Sequence, residues 1–381
     1  MAELKKVVIV GGGVGGCAVA LALRRAGVQV EIHEKYGDFQ GRATGFSMWA
    51  YAIKRLLDFG FDRERLDRIG REMVRQDIYS QEGELTMSLP VREVSATVGA
   101  PSMDVNRRRL QEEIVDLLGE GVYQFGSEAV AVGQDDGSAT VQLADGSVAT
   151  GDLVIACDGI HSVVRDSFND TPDFKIASSD VLEGIAEFDH PWLADGHHAQ
   201  VWGRGRRAGI GGLGGGRVRW FFGGNVKPDE PDIDHAEMVR RADGLPDIVA
   251  GVVAATEPSQ IVRATIAHAY PVDHWHDGRV VLLGDAAHTL SPFAGMGACS
   301  AIEDAAQLVE RLTSSESLEE AIAAYVERRR AKTLEIEKRG RRNEWMMMTG
   351  SPVIGRIRDW VLERTPEDRL RRIAAEMATG E

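Results

Sequence analysis

The segment from Gly11 to Gly16 has the residue types and spacing of a phosphate-binding loop. Its glycines fit a GxGxxG pattern, which follows a short apolar run typical of a buried strand and opens a helix pattern over Val14–Ala26. Gly11 would form the tight turn, Gly13 would let a pyrophosphate approach the backbone, and Gly16 would let helix and strand pack closely. The phosphates would meet unpaired N–H groups at the positive end of the helix dipole. The sequence therefore predicts a dinucleotide-binding βαβ unit.

An acidic residue follows this loop at the distance expected of a ribose ligand. Glu34 ends the second predicted strand, Val28–Glu34, and Lys35 comes directly after it. A carboxylate there can accept both hydroxyls of an adenosine ribose, and it would repel a 2′-phosphate. The unit is therefore expected to bind FAD or NAD in preference to NADP, and the motif by itself does not separate the first two.

Two further carboxylates stand where predicted buried strands end. Leu153–Cys157 leads into a DG pair that contains Asp158, and Val280–Leu283 leads into a GD pair that contains Asp285. Ligands of α/β proteins bind outside the carboxyl ends of parallel strands. Both carboxylates are therefore expected close to the bound dinucleotide.

These three motifs, in this order and over most of the chain, resemble those of the group A flavoprotein monooxygenases, the family of para-hydroxybenzoate hydroxylase, salicylate hydroxylase and urate hydroxylase. The resemblance implies FAD as the cofactor, with Asp285 bonded to its ribitol chain. Backbone N–H groups of the loop Pro292–Gly297 would face the flavin and stabilise the negative charge of its reduced form. Asp158 and Arg165 match a family motif associated with both FAD and NAD(P)H, and a simple Asp–Arg brace is the alternative for that pair.

Two arginines and one methionine complete the comparison with this family. Arg42 resembles an arginine that contacts FAD, and Arg107 matches the arginine of the family's NRxxL helix start; a guanidinium can clamp a pyrophosphate with two hydrogen bonds. A solvated surface position is the alternative for each. Met296 stands where relatives often have Gln, between glycines that are retained. The residues predicted to bind the cofactor are Gly11, Gly13, Val14, Gly15, Gly16, Glu34, Lys35, Arg42, Arg107, Asp158, Arg165, Gly284, Asp285, Pro292, Gly295, Met296 and Gly297.

The chemistry that the resemblance implies is monooxygenation. NADH or NADPH, bound transiently, would reduce FAD, O₂ would add to form a C4a-hydroperoxyflavin, and one oxygen would pass to a small aromatic or polycyclic substrate. No acid or base is assigned; Arg165, Pro292 and His268 are the catalytic candidates, and no metal site is predicted. The alternatives are an FAD-dependent oxidase or dehydrogenase, an epoxidase or Baeyer–Villiger enzyme on the same fold, and a non-catalytic binding protein.

The elements that must position these residues predict an α/β fold. It consists of a Rossmann-like FAD-binding domain with an inserted antiparallel β-sheet that binds the substrate, followed by C-terminal helices. The assigned ranges are 1–75, 100–177 and 267–340 for the FAD-binding domain, 76–99 and 178–266 for the inserted sheet, and 341–381 for the C-terminal helical segment.

The spacing of apolar residues predicts the individual elements. Between about 178 and 266, short β-like runs alternate with glycines and helical periodicity is scarce. Asp77–Leu89 is expected to join that sheet, and Gly214–Gly216 to form a hairpin turn within it. A helix is predicted over Val105–Leu118, and another from Leu318 to Arg330 or beyond, capped by Ser317.

Aromatic side chains of the inserted sheet are the candidates for substrate contact. Trp202, Trp220 and Phe222 lie on its predicted strands, and Phe293 is added from the loop before the long helix. Strand alternation implies that only some of them face the pocket. The run Trp345–Met348 is interpreted as helix core or a packing surface, with a substrate-entry lid as the alternative.

Composition narrows the class of partner. The 381 residues carry a formal charge of −15 without a Lys/Arg block, which argues against nucleic acid. Three separated cysteines, Cys17, Cys157 and Cys299, fit a reducing compartment better than disulfides or a metal site. No apolar run is long enough to span a bilayer. We expect a cytoplasmic enzyme, monomeric or homodimeric, whose partners are a small-molecule substrate, O₂ and NAD(P)H.

Overall fold

The computed structural model describes residues 4–39, 44–176, 180–224 and 233–381. Helices and strands are numbered separately in chain order within these ranges. The helices are α1 (Val14–Arg25), α2 (Ala50–Asp58), α3 (Arg63–Ile69), α4 (Val91–Val98), α5 (Arg107–Leu118), α6 (His235–Arg240), α7 (Asp247–Ala254), α8 (Gly297–Ser314), α9 (Leu318–Met347), α10 (Pro352–Glu363) and α11 (Glu367–Thr379).

The strands form two large sheets and three small ones. They are β1 (Lys6–Val10), β2 (Gln29–Glu34), β3 (Gly45–Met48), β4 (Gly70–Glu72), β5 (Arg75–Ser80), β6 (Leu85–Leu89), β7 (Met103–Asn106), β8 (Tyr123–Phe125), β9 (Ala129–Gln134), β10 (Ala139–Leu143), β11 (Val148–Gly151), β12 (Leu153–Ala156), β13 (Lys175–Ile176), β14 (Val181–Glu187), β15 (His197–Trp202), β16 (Arg207–Gly214), β17 (Arg217–Gly223), β18 (Val262–Ala264), β19 (Ala267–His268), β20 (His276–Asp277) and β21 (Val280–Leu282).

The first large sheet has the strand order β20-β21-β12-β1-β2-β8, in which all neighbours are parallel except the edge strand β20. Val7, Val8 and Ile9 of β1 are fully buried, as expected of a continuous apolar run in a central parallel strand. β1, α1 and β2 form the predicted βαβ unit, and Gly27 leaves α1 with a φ of +85°, which glycine adopts readily. The predicted fold class is confirmed.

The second large sheet has the order β18-β14-β17-β16-β15-β5-β6. Strands from Arg75–Leu89 join it, as the sequence predicts, although β5 and β15 are parallel where an antiparallel sheet was expected. Gly214–Gly216 connect β16 to β17 and all have positive φ, which confirms the predicted hairpin turn. One face of this sheet packs its apolar side chains against α7.

Helices α5, α6 and α7 differ from the sequence predictions. α5 begins at Arg107, not at Val105, because Val105 pairs in β7 and the side chain of Asn106 caps the helix. α6 and α7 lie in a stretch predicted to lack helices. The helix predicted from Leu318 to Arg330 or beyond is α9, which continues for 17 further residues to Met347, and α10 lies within the predicted helical segment 341–381. Among the described residues, no helix is both long and apolar enough to cross a bilayer.

A buried ion network holds the turn that follows β21. Asp304 on α8 accepts a hydrogen bond from the Gly284 N–H (3.1 Å), and its carboxylate lies 2.5 Å from Nε2 of His288 and 2.6 Å from Nε of Arg329. Burial opposes ionisation of Asp304, but His288 and Arg329 outweigh it and hold its pKa at about 2. The network therefore fixes the turn that carries Asp285.

We expect Asp304→Asn to lower the free energy of unfolding by about 3–5 kcal/mol at neutral pH, because it leaves the buried guanidinium of Arg329 without its counter-charge. Denaturant titration measures this change. Glu310→Gln, on the exposed face of the same helix, is the control and should change stability by about 0.5 kcal/mol or less. A D304N protein as stable as the parent would contradict this role.

Candidate active site

A cavity of about 1350 Å³ is lined by residues from both large sheets. The GxGxxG loop, the turn after β21 and the start of α8 form one side, and strands β14 to β17 form the other. The volume is larger than the roughly 300–1,000 Å³ typical of a pocket for one ligand. The cavity therefore has space for a cofactor and a substrate together.

The three glycines of the GxGxxG pattern meet different surroundings. Gly11 has a φ of +93°, and a Cβ there would lie 2.4 Å from the carbonyl oxygen of Cys157. A Cβ on Gly16 would lie 2.0 Å from the Gly11 carbonyl oxygen, so this glycine permits the close packing of α1 on β1. Gly13 lines the cavity, and a Cβ on it would meet no protein atom within 4 Å. Only Gly13 is thus held open toward a ligand.

The carboxylate of Glu34 is fixed beside this loop. Its Oε2 accepts a hydrogen bond from the Gly12 N–H (2.8 Å), and its Oε1 accepts one from the Tyr36 N–H (3.1 Å). The Gly12 carbonyl in turn accepts hydrogen bonds from Gln111 Nε2 (2.8 Å) and Tyr123 Oη (3.0 Å). Loop and acid are therefore oriented before any ligand binds.

Asp285 projects into the cavity from the turn after β21. Its side chain makes no hydrogen bond to any described residue, and it is accessible from the cavity. Enclosure by the protein raises the pKa of Asp285, while His288 and Arg107 act in the opposite direction. An unpartnered carboxyl group in an enclosed polar site suits a ligand that carries hydroxyl groups.

The N-terminus of α8 opens onto the same cavity. Gly295, Met296 and Gly297 line it, and Gly295 has a φ of +65°. Trp49 Nε1 donates to the Gly295 carbonyl (2.9 Å), which holds the loop, and the Met296 sulfur accepts a contact from Arg339 (2.7 Å). The unpaired N–H groups at a helix start favour negative charge in the cavity beside them.

The DG segment contributes fewer residues to the wall of the cavity than the sequence predicts. Asp158 does not line the cavity and has no ion pair with Arg165; its Oδ2 accepts from the Val164 N–H (3.4 Å). Arg165 is buried and donates to Asp166 (2.8 Å) and to the Ile160 carbonyl (3.0 Å). Neither residue lines the cavity, the Asp–Arg brace that was the alternative is also absent from the described residues, and Arg165 faces protein.

The opposite wall of the cavity carries a buried charge cluster. Asp104 accepts a hydrogen bond from Nε of Arg219 (2.9 Å) and lies 3.0 Å from Nδ1 of His198, while Ser47 Oγ donates to Asp104 (3.0 Å). Burial opposes ionisation of Asp104, yet Arg219 and His198 hold its pKa well below the usual range. Burial also lowers the pKa of His198, and its Nε2 has no hydrogen-bond partner among the described residues.

Arg207 is the second cation of this wall, and it has no carboxylate partner among the described residues. Its guanidinium lies 5.1 Å from the Phe221 ring centre and 5.6 Å from that of Phe293, and donates to Gln200 Oε1 (2.9 Å). Its Nε is buried and unpaired. Burial and the neighbouring charge of Arg219 lower the pKa of Arg207 to about 10, so it stays cationic at neutral pH.

Several predicted residues lie away from the cavity. Trp220 and Phe222 point to the opposite face of β17, where Trp220 Nε1 donates to Thr256 (2.8 Å), so they do not line the cavity, whereas Phe221 does. Alternate residues of β17 do face the cavity, but they are Arg219 and Phe221, not the set that contains Trp220 and Phe222. His268 lies 2.8 Å from Glu337, and Lys35 lies over the Tyr36 ring; neither lines the cavity.

Gly11, Gly16 and Glu34 lie beside the cavity without lining it, and the remaining predictions fall at the cavity with one exception. Val14, Gly15, Arg107, Gly284 and Pro292 line it. Trp202 and Phe293, predicted for the substrate, line it as well. Arg42 lies outside the described residues.

Sequence reasoning missed the polar wall formed by Asp104, His198, Arg207 and Arg219. Its signal was available in part, because polar side chains alternate with apolar ones in His197–Trp202 and Arg217–Gly223. Glycines mark the same face: a Cβ on Gly209 would lie 2.3 Å from the Phe221 ring, and one on Gly211 2.1 Å from the Asp104 carboxylate.

This fold and cavity define a dinucleotide-binding α/β protein whose cavity lies between two large sheets. Residues 5–339 match the family model described as FAD binding domain. The chain belongs to this family and, within it, to the group A flavoprotein monooxygenases.

Relatives and solved structures agree with this assignment. The chain is 31% identical over 358 residues to an aurachin C monooxygenase/isomerase of Stigmatella aurantiaca, covering 93% of this chain and 90% of that one. It is 29% identical over 328 residues to an FAD-dependent urate hydroxylase of Klebsiella pneumoniae, covering 84% of each. The crystal structure of Klebsiella pneumoniae HpxO with FAD and uric acid superposes with a TM-score of 0.90 at 25% identity, covering 98% and 96%.

Gly13→Ala should weaken FAD binding about tenfold or more, because the added methyl group enters the space left for a ligand and not a space occupied by protein. Fluorescence titration of the apoprotein measures the affinity. Gly37→Ala adds the same group in open space outside the cavity and is the control. Gly16→Ala should instead destabilise the fold. Unchanged FAD affinity in G13A would contradict the assignment of the loop.

Asp285→Ala should lower FAD retention during purification and gel filtration, because it removes an acceptor that no protein group uses. The flavin-to-protein absorbance ratio reports the loss, which we expect to correspond to about a 10- to 100-fold weaker affinity, or about 1.4–2.8 kcal/mol. Asp189→Ala, an exposed site outside the cavity, is the control. Full flavin content in D285A would remove the role given to this residue.

Proposed function

We propose that this flavoprotein monooxygenase uses NADH or NADPH and O₂ to hydroxylate a small aromatic or polycyclic substrate that carries an acidic hydroxyl or a comparable anionic group. The proposal is supported by the family, by the relatives named for aurachin C and urate, and by the polar wall of the cavity. The observation that carries the substrate class is the guanidinium of Arg207, which lines the cavity and has no carboxylate partner among the described residues.

The residues present fit FAD. Gly13 and the start of α1 would hold its pyrophosphate, Glu34 its adenosine ribose, and Arg107 and Asp285 the middle of the molecule. The start of α8, at Gly295–Gly297, would face the flavin ring with unpaired N–H groups. When bound, FAD supplies the electron transfer from the nicotinamide and the activation of O₂, which no side chain of the cavity can provide.

The chain's own contribution is to bind the substrate as an anion next to that ring. Arg207 touches Phe293, which precedes α8, so a group bound to its guanidinium lies at the flavin end of the cavity. A cation there lowers the pKa of a phenol or enol and makes its ring electron-rich. Trp202, Phe221 and Phe293 supply apolar surface on which a planar substrate packs and from which water is excluded.

His198 and Asp104 add a second polar position for the substrate. Burial lowers the pKa of His198 and so favours the neutral imidazole, and its Nε2 is buried without a hydrogen-bond partner among the described residues, in a residue that lines the cavity. A neutral imidazole held through its other nitrogen can exchange a hydrogen bond with a substrate hydroxyl. Arg219 donates to Asp104 and Ser47, so on this wall Arg207 is the cation that we expect to meet a negative charge on the substrate.

The reaction is tested with phenols, N-heterocycles and polyketides. A substrate should stimulate NADH or NADPH oxidation and gain one oxygen atom from isotopically labelled O₂, as seen by mass spectrometry. Consumption of O₂ with formation of hydrogen peroxide alone, or product without label, would favour the oxidase or dehydrogenase alternative.

Arg207→Gln should raise KM for an acidic substrate about 10- to 100-fold, since a charge-assisted hydrogen bond of about 1.5–3 kcal/mol is lost. Steady-state kinetics with a phenol and its O-methyl ether measure KM, and the KM for the ether should change little. Arg217→Gln, exposed on the same hairpin, is the control. An equal rise in KM for the phenol and for its ether would contradict anion binding by Arg207.

A further inference from the structure

Helix α10 exposes its apolar side chains and buries an arginine, which is the reverse of an ordinary surface helix. Its exposed residues include Val353, Ile354, Ile357, Trp360 and Val361, whose spacing of i, i+1, i+4, i+7 and i+8 places them on one side of the helix. Its buried residues are Gly355 and Arg358. Trp345, at the end of α9, adds a further exposed indole of which 68% is accessible. We call these six apolar residues the α10 patch.

The orientation of this helix is set by Arg358. Its guanidinium donates to the Trp202 carbonyl (2.7 Å) at the end of β15 and to the Asp359 carboxylate (2.8 Å), with longer contacts to the carbonyls of Gly203 and Met347. A rotation that buried the apolar face would turn Arg358 toward solvent and remove these bonds. The outward apolar face is therefore built into the structure.

The α10 patch is continuous with the wall of the active-site cavity. Trp345 and Val361 belong to the patch and also line the cavity, together with Met346, Met348 and Leu362. An apolar path thus leads from the outer surface of α10 into the cavity. The run Trp345–Met348 lies on this path, where the sequence analysis considered a substrate-entry lid.

The charge around the patch is opposite to that of the whole protein. Residues 338–372 contain ten Lys and Arg against five Asp and Glu, a net charge of +5 in a chain whose total is −15. Arg342, Arg356, Arg369 and Arg372 are exposed and have no ion pair within the described ranges. Exposed Trp, Ile and Val bordered by arginine are typical of helices that lie in the surface of an anionic membrane.

The size of the patch does not suit a second copy of the chain. A twelve-residue helix is roughly 18 Å long and about 10 Å wide. Its face is small compared with the about 800 Å² per partner that stable interfaces bury. A repeated copy would also bring two arginine-rich surfaces together. A lipid surface satisfies both the apolar face and the charge.

We propose that the α10 patch docks the enzyme on an anionic lipid surface, with the cavity mouth facing the bilayer, and that the substrate is lipophilic and enters from the membrane. The second part rests on the proposed hydroxylase function. The apolar side chains of α10 would lie among the acyl chains, and the surrounding arginines would lie at the level of the lipid phosphates.

Cosedimentation of the FAD-loaded full chain with vesicles tests the docking. We expect binding to equimolar phosphatidylcholine–phosphatidylglycerol vesicles, weaker binding at high salt, and little binding to pure phosphatidylcholine. Ile357→Glu should reduce binding at least tenfold, whereas Val148→Glu, which places the same charge on an exposed apolar residue of a remote hairpin, should not. Flavin content and melting temperature confirm that both variants are folded.

Three outcomes would overturn the docking proposal. They are no binding of the parent protein to the mixed vesicles, equal binding of parent and I357E, and a parent dimer that I357E converts to monomer without any vesicle binding. Because cosedimentation needs no turnover, none of these results bears on the oxygenase proposal, and failure of the oxygenase assay leaves the binding result standing.

Substrate entry is tested with a long-chain alkylphenol delivered in mixed vesicles and a short phenol in solution. I357E should lower NAD(P)H oxidation with the vesicle-borne phenol at least fivefold and leave the soluble one unchanged. Equal rates of parent and variant with the vesicle-borne phenol would overturn entry from the membrane.

Discussion

The carboxyl ends of β21, β12 and β1 lie side by side in one parallel sheet, and the active site depends on this arrangement. The register of these strands places the GxGxxG loop beside the turn that carries Asp285, although about 270 residues separate them. Because the sheet is buried, its strands cannot slip without moving apolar residues to the wrong position. Main-chain N–H groups and one unpartnered carboxylate consequently point into a common space.

The second sheet completes this space through the alternation of its strands. On β17, Trp220 and Phe222 pack against α7, while Arg219 and Phe221 face the cavity. One face of this sheet therefore packs against the rest of the protein, and the other face lines the cavity. Within the cavity face, Asp104 neutralises Arg219, and Arg207 keeps its charge for a ligand. The substrate class that we propose follows from this unequal pairing of two arginines.

The sequence was sufficient for those features that depend on local chemistry. The glycines, Glu34 and Asp285 were recognised because tight turns, close approach and strand ends restrict residue type strongly. The face of β17 was not, since alternation fixes a period but not a phase, and Trp220 looked as suitable as Phe221. Arg207 was missed because a single arginine at a strand start is ordinary until its neighbours are known. α10 lies in the predicted helical segment 341–381, but its periodicity does not show whether the apolar face is buried or exposed.

The central claim is that three separated segments bind a single FAD. A crystal structure of the protein purified with its flavin tests it most directly. We predict one FAD per chain, with its pyrophosphate at Gly13, its ribose at Glu34, its ribitol at Asp285 and its ring before the start of α8. Purified protein that takes up no flavin, or an FAD that leaves either Gly13 or Asp285 without contact, would contradict the account.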